Sequence, residues 1–298
     1  MRWVLITNPA AGAGRSQSQL RDALVKLRAA GLRFELFESE RPGQVQELAR
    51  QAYLDGARAF IAAGGDGTVF ALLNGLLPVA KQRPTLAVLP LGTGNCFAAD
   101  CGVPTLPDAL RALTCGQRRP VDVLHLEHAE GELYFANLLS VGFSARVGAL
   151  TNRHLKPLGV LGYSLAVLLC VASHRHEAFA LRGEDGCLDA RPCTLLSFSN
   201  SRLTGGNMLM APYARLDDGL LDLIRVGPLA RHQLLAAFPR IFRGTHVELP
   251  ETEYYQRKRI ELACKRPVDV MVDGEVLQLT LRSLQVLPGA IEVLGWPS

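Results

Sequence analysis

The chain has 298 residues, is 48% hydrophobic and carries a formal charge of +4. That length admits two modest domains or one large one, and so small a positive excess gives no argument for a nucleic-acid partner. Seven scattered cysteines without a CxxC pair fit reduced thiols in a cytoplasmic protein better than a disulfide framework or a zinc site.

The first 120 residues alternate strand and helix signals. "MRWVLITN" reads as a buried strand rather than a signal peptide. "SQSQLRDALVKLRAAG" follows as an amphipathic helix, with Ser16 or Ser18 as N-cap and Gly31 as stop. "RFELFES" and "RAFIAAGG" continue as strands, with "GQVQELARQAYLDG" helical between them. "VFALLNGLL" is a third helix and "TLAVLPLG" a fourth strand, followed by helical "NCFAADCG" and "LPDALRALTCG". Such alternation implies a parallel sheet covered on both faces.

The texture changes near Pro120. Short β-type runs then dominate: "VDVLHLEH", "ELYFANLLSVGF", "EAFALRG", "CTLLSFSN", "GLLDLIRVG", "RKRIELAC", "VDVMVDGE" and "QVLPGAIEVL". Only "LGVLGYSLAVLLCVASH" and "ARHQLLAAFPRIF" read as strongly helical. The second half is therefore an antiparallel β domain. We place the domains at 1–121 and 122–298, with the last strand free to return to the first domain. The apolar run Pro157–Ser173 falls short of the roughly 20 residues a spanning helix needs. It reads as a buried helix, or as one lining a lipid pocket or touching a membrane. "HRH" (His174–His176) ends it, where positive charge suits the helix dipole. "QRKR" (Gln256–Arg259) reads as a solvated strand edge.

Gly64-Gly65-Asp66-Gly67-Thr68 lies where the third strand meets the third helix. In open α/β sheets, ligands bind beyond the carboxyl ends of strands. Glycines permit close backbone approach there, and a helix N-terminus offers unpaired N–H groups, so the pattern suits phosphate. Asp66 needs a cationic neighbour to sit there, and Mg²⁺ would serve. From average residue usage, GGDGT should arise by chance less than roughly once in a thousand chains of this size. "NPAAGAG" (Asn8–Gly14) and "PLGTGN" (Pro90–Asn95) follow two other strands at the same sheet edge. None is a P-loop or a GxGxxG fingerprint.

GGDGT, then "LLNGL", then "PLGTGN" resembles the catalytic domain of the diacylglycerol kinase and sphingosine kinase superfamily, above all the soluble bacterial lipid kinases. "FANLLSVGFSARV", "SNSRLTGGNMLMAPYARLDDGLLDL" and "VDVMVDGE" extend the likeness over nearly the whole chain. The resemblance implies an α/β N-terminal domain with a parallel sheet, like NAD kinases and phosphofructokinases, and a C-terminal antiparallel β-sandwich. It implies ATP and Mg²⁺ as cofactors. Asn8, Ser39, Gly64, Gly65, Asp66, Gly67, Thr68 and Thr93 would line the nucleotide site. Asp218, with the carbonyls of Arg215 and Leu220, would hold a structural Mg²⁺, and Asp66 with Asp122 the catalytic one. Asp273 and Glu275 would sit at the cleft, with Glu275 favoured as the base and Asp273 its competitor.

Read without the resemblance, "LDDGLL" and "VDGE" are ordinary turn signals. The chain departs from the family pattern at Phe70 and Ala71, where acidic or amide residues are common, and at Cys96, where Asp is. The function implied is transfer of the γ-phosphate of ATP to a lipid hydroxyl, diacylglycerol first. The alternatives are another acceptor (a sphingoid base, phosphatidylglycerol or, distantly, NAD) or a relative that binds nucleotide or lipid without catalysis. The expected partners are a lipid substrate and a membrane surface touched peripherally, with no nucleic acid and a homodimer left open.

Overall fold

The computed structural model describes residues 2–8, 15–151, 155, 159–184 and 186–296. The chain forms two compact units. One comprises residues up to Val123, Tyr134–Ala136 and Leu287 onward, and the other Leu124–Leu133 with Asn137–Val286.

In the first unit β1 (Trp3–Thr7), α1 (Arg15–Ala29), β2 (Phe34–Glu38), α2 (Gln44–Leu54), β3 (Ala59–Gly64), α3 (Asp66–Leu76), β4 (Thr85–Pro90), α4 (Cys96–Asp100) and α5 (Leu106–Cys115) follow in turn. They lead into β5 (Gln117–His128). β1 pairs in parallel with β2 and β3, and β3 with β4. β1, β3 and β4 are buried along their whole length, whereas β2, at the edge, is only partly covered. That difference explains why the three central strands read as unbroken apolar runs. Ser16 and Ser18 both lie inside α1, which begins at Arg15, so neither is its N-cap. Gly31 ends the helix at φ 77°.

The second unit begins at Leu124 within β5; β6 (Gly131–Phe135) passes back to the first unit at Tyr134, and β7 (Leu138–Gly142), α6 (Phe143–Leu150) and α7 (Gly159–Ala172) follow in the second. Four two-residue strands follow: β8 (Glu177–Ala178), β9 (Leu181–Arg182), β10 (Leu188–Asp189) and β11 (Pro192–Cys193). Next come β12 (Leu195–Ser199), β13 (Leu203–Thr204), β14 (Met208–Leu209), β15 (Leu221–Val226), α8 (Arg231–Ala237) and a 3₁₀ turn at Phe238–Arg243. β16 (Thr252–Arg257), β17 (Arg259–Leu262), β18 (Val268–Val272), β19 (Glu275–Leu279) and β20 (Leu281–Gly295) close the chain. Six strands form one antiparallel sheet in the order β16-β15-β12-β7-β18-β19. β17 pairs antiparallel with β9 and with Ser283–Gln285 of β20. The far end of β20 belongs to the first unit, where Glu292 and Val293 pair in parallel with Thr85 and Leu86 of β4.

Three local readings differ from the sequence expectation. "GFSARV" leaves the strand and becomes α6, because Gly142 takes φ 82° and turns the chain. "EAFALRG" breaks into β8 and β9. "QRKR" is not one strand edge: Lys258 separates β16 from β17, and Glu184 Oε1 accepts the N–H groups of Lys258 and Arg259 (2.8 and 3.0 Å).

His174, just beyond α7, does not bring the expected positive charge to the helix end. It is buried against Phe143, ring edge to face at 5.7 Å, and its Nδ1 accepts from Arg146 Nη2 (3.1 Å). Burial first, then the charges of His176, Arg146 and Arg231, push its pKa down to about 4. In the unfolded chain it returns to about 6.5. Unfolding therefore takes up a proton between those values, and stability present above about pH 6.5 is lost as pH falls toward 4. His174→Gln should flatten the pH-dependence of Tm in that window. Parallel calorimetric profiles for wild type and variant would disprove it.

Candidate active site

β3 ends at Gly64 and α3 begins at once, with Gly65 extended at its N-cap. The Thr68 and Val69 amides donate to Gly65 O (2.9 and 3.2 Å), which closes the first turn. Asp66 does not cap its own helix. Its Oδ2 and Oδ1 accept the N–H groups of Cys96 and Phe97 (3.1 and 3.0 Å), the first residues of α4. Asp66 thus meets one positive end within the chain itself, the N-terminus of a second helix. The Cys96 side chain is buried, and the position serves Asp66 through its main chain.

The loop before α4 is equally fixed. Asn95 stands in the left-handed region at φ 52°. Its Oδ1 accepts Gly92 N–H (3.0 Å) and its Nδ2 donates to Gly92 O (2.8 Å). A Cβ on Gly92 would strike Gly65 Cα, Gly65 N and Asn95 Oδ1, so the two loops lie backbone against backbone. Glycine is demanded there by close approach. Thr93, between Gly92 and Gly94, is exposed, whereas Thr68 is buried against Gly64.

Ser39 is buried at the end of β2, its N–H donating to Thr7 O (3.0 Å), and Asn8 is half-buried at the end of β1. The expected loop at 9–14 lies outside the described residues. Asp122 is buried, and its Oδ1 accepts Gly289 N–H (2.6 Å). Asn74, the polar residue of "LLNGL", binds Phe70 O (2.8 Å), Tyr134 O (2.7 Å) and Tyr134 N–H (3.0 Å). Phe70 and Ala71 are partly exposed on the same helix.

In the second unit, three of the quoted motif segments meet in one buried polar knot. Asp273 Oδ1 accepts the N–H groups of Asn137 and Leu138 (both 3.0 Å). Asn137 O accepts from Asn200 and Ser201 (2.7 and 3.2 Å), and Asn137 Oδ1 accepts from Ser201 Oγ (3.0 Å). Asp273 and Gly274 form the turn between β18 and β19 with φ 46° and 88°, the two positive values of a type I′ hairpin. The turn reading of "VDGE" thus holds, and Asp273 also ties that turn to β7. Glu275, the next residue, is exposed.

"LDDGLL" is a turn leading into β15, not a hairpin between strands. Asp218 Oδ1 accepts Leu220 N–H (3.0 Å), Gly219 has φ 71°, and Arg215 pairs with Asp217 (3.5 Å). Sequence reasoning passed over Asp222, four residues on. It is fully buried, with the Tyr254 hydroxyl beside its carboxylate. Burial above all, helped by the Asp218 charge, pushes its pKa up to about 6, against hydrogen bonds from the Tyr254 hydroxyl and from Gln256 Nε2 (3.2 Å). A buried carboxylate beside a second acid is a donor set that a hard divalent cation fits. Among the described residues no group of three or more His, Cys, Asp or Glu is placed to hold a metal, so any such ion depends on main-chain carbonyls as well.

Comparison with known proteins gives the chain its family and fold. The diacylglycerol kinase catalytic domain family matches residues 2–126, and the YegS C-terminal NAD kinase beta sandwich-like domain matches residues 137–295. A protein of Stenotrophomonas maltophilia named "Probable lipid kinase YegS-like" is 31% identical, covering 98% of this chain and 95% of its own. A diacylglycerol kinase of Mycobacterium tuberculosis is 30% identical, over 97% of this chain and 93% of its own. A solved structure from Bacillus anthracis str. Sterne superposes with TM-score 0.81 over 99% of this chain and 95% of that one, at 24% identity. That likeness shows the same α/β plus antiparallel-sheet fold. The chain belongs to the diacylglycerol kinase catalytic domain family and is a kinase of the YegS and diacylglycerol kinase type.

Proposed function

We propose that the chain is an ATP- and Mg²⁺-dependent lipid kinase that transfers the γ-phosphoryl group of ATP to the free hydroxyl of diacylglycerol. The observation that carries this reading is the pair of glycine loops. Gly65 and Gly92 press together, Asp66 and Asn95 lock them, and α3 begins at this seam, where the N-terminus of a helix suits phosphate.

Phosphoryl transfer asks a protein mainly to position phosphates and accept one proton. Gly64, Gly65, Gly67 and Thr68 cradle the phosphates, with Asn8, Ser39 and Thr93 as polar contacts to the nucleotide. The acceptor oxygen forms a bond to the γ-phosphorus as the bond to ADP breaks, and its proton passes to a carboxylate. Glu275 takes that role in our reading: it is exposed, while Asp273 already holds two main-chain N–H groups.

Bound Mg²⁺ would neutralise charge on the transferring phosphates, with Asp66 and Asp122 as its carboxylates. A second, structural Mg²⁺ would take Asp218, the carbonyls of Arg215 and Leu220, and the buried Asp222. Its test needs no turnover. Mg²⁺ at millimolar concentration should raise Tm at pH 7.5 relative to EDTA, by about 2–4 °C per kcal/mol of binding. Asp222→Asn should abolish most of that rise. A variant as responsive as wild type would remove Asp222 from the site.

The function itself is tested with γ-³²P-ATP and Mg²⁺ on diacylglycerol, monoacylglycerol, sphingosine, ceramide and phosphatidylglycerol in mixed micelles, with NAD as soluble control. Labelled phosphatidic acid is expected. Label on sphingosine, phosphatidylglycerol or NAD alone would reassign the acceptor. ATP binding without label on any acceptor would favour a non-catalytic relative and turn attention to Phe70, Ala71 and Cys96.

A further inference from the structure

Between Leu165 and Val171, α7 is apolar on both sides. Its inner face, Ala166, Val167, Cys170 and Val171, joins a core cluster with Leu234 of α8, while Ala237 and Phe238 pack against that cluster. Its outer face repeats at the same helical spacing: Leu165, Leu168 and Leu169 stand in solvent. Leu235 of α8 and Phe242 of the following 3₁₀ turn are exposed too, and all five side chains are 41–56% accessible. Surface helices ordinarily carry polar residues outward. A cluster of bare leucines with a phenylalanine marks a surface that meets something apolar.

The charges that its two segments themselves carry are one-sided, with Glu251 set against α8, its Oε1 accepting from Gln233 Nε2 (3.5 Å). Residues 159–176 contain Arg175 and no acid, and residues 228–243 contain Arg231, Arg240 and Arg243 and no acid. All four arginines are exposed. Carboxylates resume only at Glu177 and Glu248. A second copy of the same face would set four cations against four, which disfavours a symmetric dimer through it. An apolar strip bordered by arginines suits an anionic lipid surface, where the leucines enter the acyl boundary and the guanidinium groups meet phosphate. No helix among the described residues is long and apolar enough to cross a membrane, so contact through this face would lie in the interface plane.

We propose that the exposed face of α7, α8 and the 238–243 turn is the docking surface of this protein on anionic membranes. The choice of lipid as partner rests on the lipid-kinase reading above.

The test is co-sedimentation, without ATP, with vesicles of phosphatidylcholine containing about 30% phosphatidylglycerol, near the charge density of anionic membranes. Wild type is expected to bind these vesicles and to release them as salt screens the arginines. Leu168→Gln/Leu169→Gln should weaken binding about tenfold or more. Arg240→Gln/Arg243→Gln should weaken it about as much and reduce the salt dependence. Both pairs are surface changes, and unaltered melting curves would show that the fold is kept. Absent binding by wild type, or binding unchanged in both variants, would overturn the proposal. So would a wild-type dimer in sedimentation equilibrium that Leu168→Gln/Leu169→Gln dissolves, because the face would then belong to a second copy. Phosphoryl transfer in detergent micelles is scored separately. A protein that docks but never transfers phosphate loses the kinase reading and keeps this one.

Discussion

Asp66→Ala is expected to abolish phosphoryl transfer, by about three orders of magnitude or more, and to lower stability by about 2–4 kcal/mol. The second effect follows from geometry. Asp66 supplies both acceptors for the first amides of α4, at 3.1 and 3.0 Å. α4 spans five residues, and the side chain of its own N-cap, Asn95, is turned back to Gly92. Removing Asp66 leaves two N–H groups without their acceptor and releases the loop that carries Gly92 and Thr93. Asp66→Asn separates this role from the metal. It keeps one acceptor oxygen, so most of the stability should return, whereas a lost charge at the phosphates should leave turnover low. Thermal melts and steady-state rates on the three proteins decide it. An Asn variant with wild-type turnover would remove the metal role, and an Ala variant with unchanged Tm would remove the staple.

The second large effect separates two neighbouring acids. Asp273→Ala should cost about 2–4 kcal/mol of stability, because the amides of Asn137 and Leu138 lose their shared acceptor inside a buried knot. It also removes a residue tolerant of φ 46° from the hairpin turn. Asp273→Asn, which keeps an oxygen and that tolerance, should recover most of the loss. Glu275→Gln should leave stability within about 0.5 kcal/mol of wild type, since the side chain is exposed. Its turnover should fall by about 10²–10⁴-fold while ATP affinity stays. A Gln variant with full turnover would return the proton-accepting role to Asp273. A large loss of ATP affinity would instead make Glu275 structural.

The first unit was legible because its physics is local. Strands buried on both faces read as continuous apolar runs, and amphipathic helices show a clear stripe. The glycine loops were visible for the same reason, since strand end, glycines and helix start stand next to one another in the chain. The partners of Asp66 were not visible. The amides it binds lie 30 and 31 residues away and belong to the backbone, which carries no sequence signature. The knot of Asn137, Asn200, Ser201 and Asp273 was hidden likewise. Each member stood in a recognised segment, but β7, β12 and β18 had to pair before the four could meet. α6 escaped because the strand-like run "ELYFANLLSVGF" carries on into its first residue, Phe143, and the single Gly142 that redirects the chain looks like any other. Asp222 was overlooked because an acid at the start of a strand usually faces water; only the packed sheet shows its buried oxygen.

The return of the last strand matters for how the protein is made. β4 gains its outer neighbour only when Glu292 and Val293 arrive beside Thr85 and Leu86. At about 5–20 residues per second, a ribosome needs roughly 10–30 s to travel from the end of the first long segment of that unit to those residues. Throughout that interval an apolar sheet would present an open edge able to recruit strands from other nascent chains. The protein's early life on the ribosome is therefore its most aggregation-prone phase, and chains cut short before β20 would remain in it permanently.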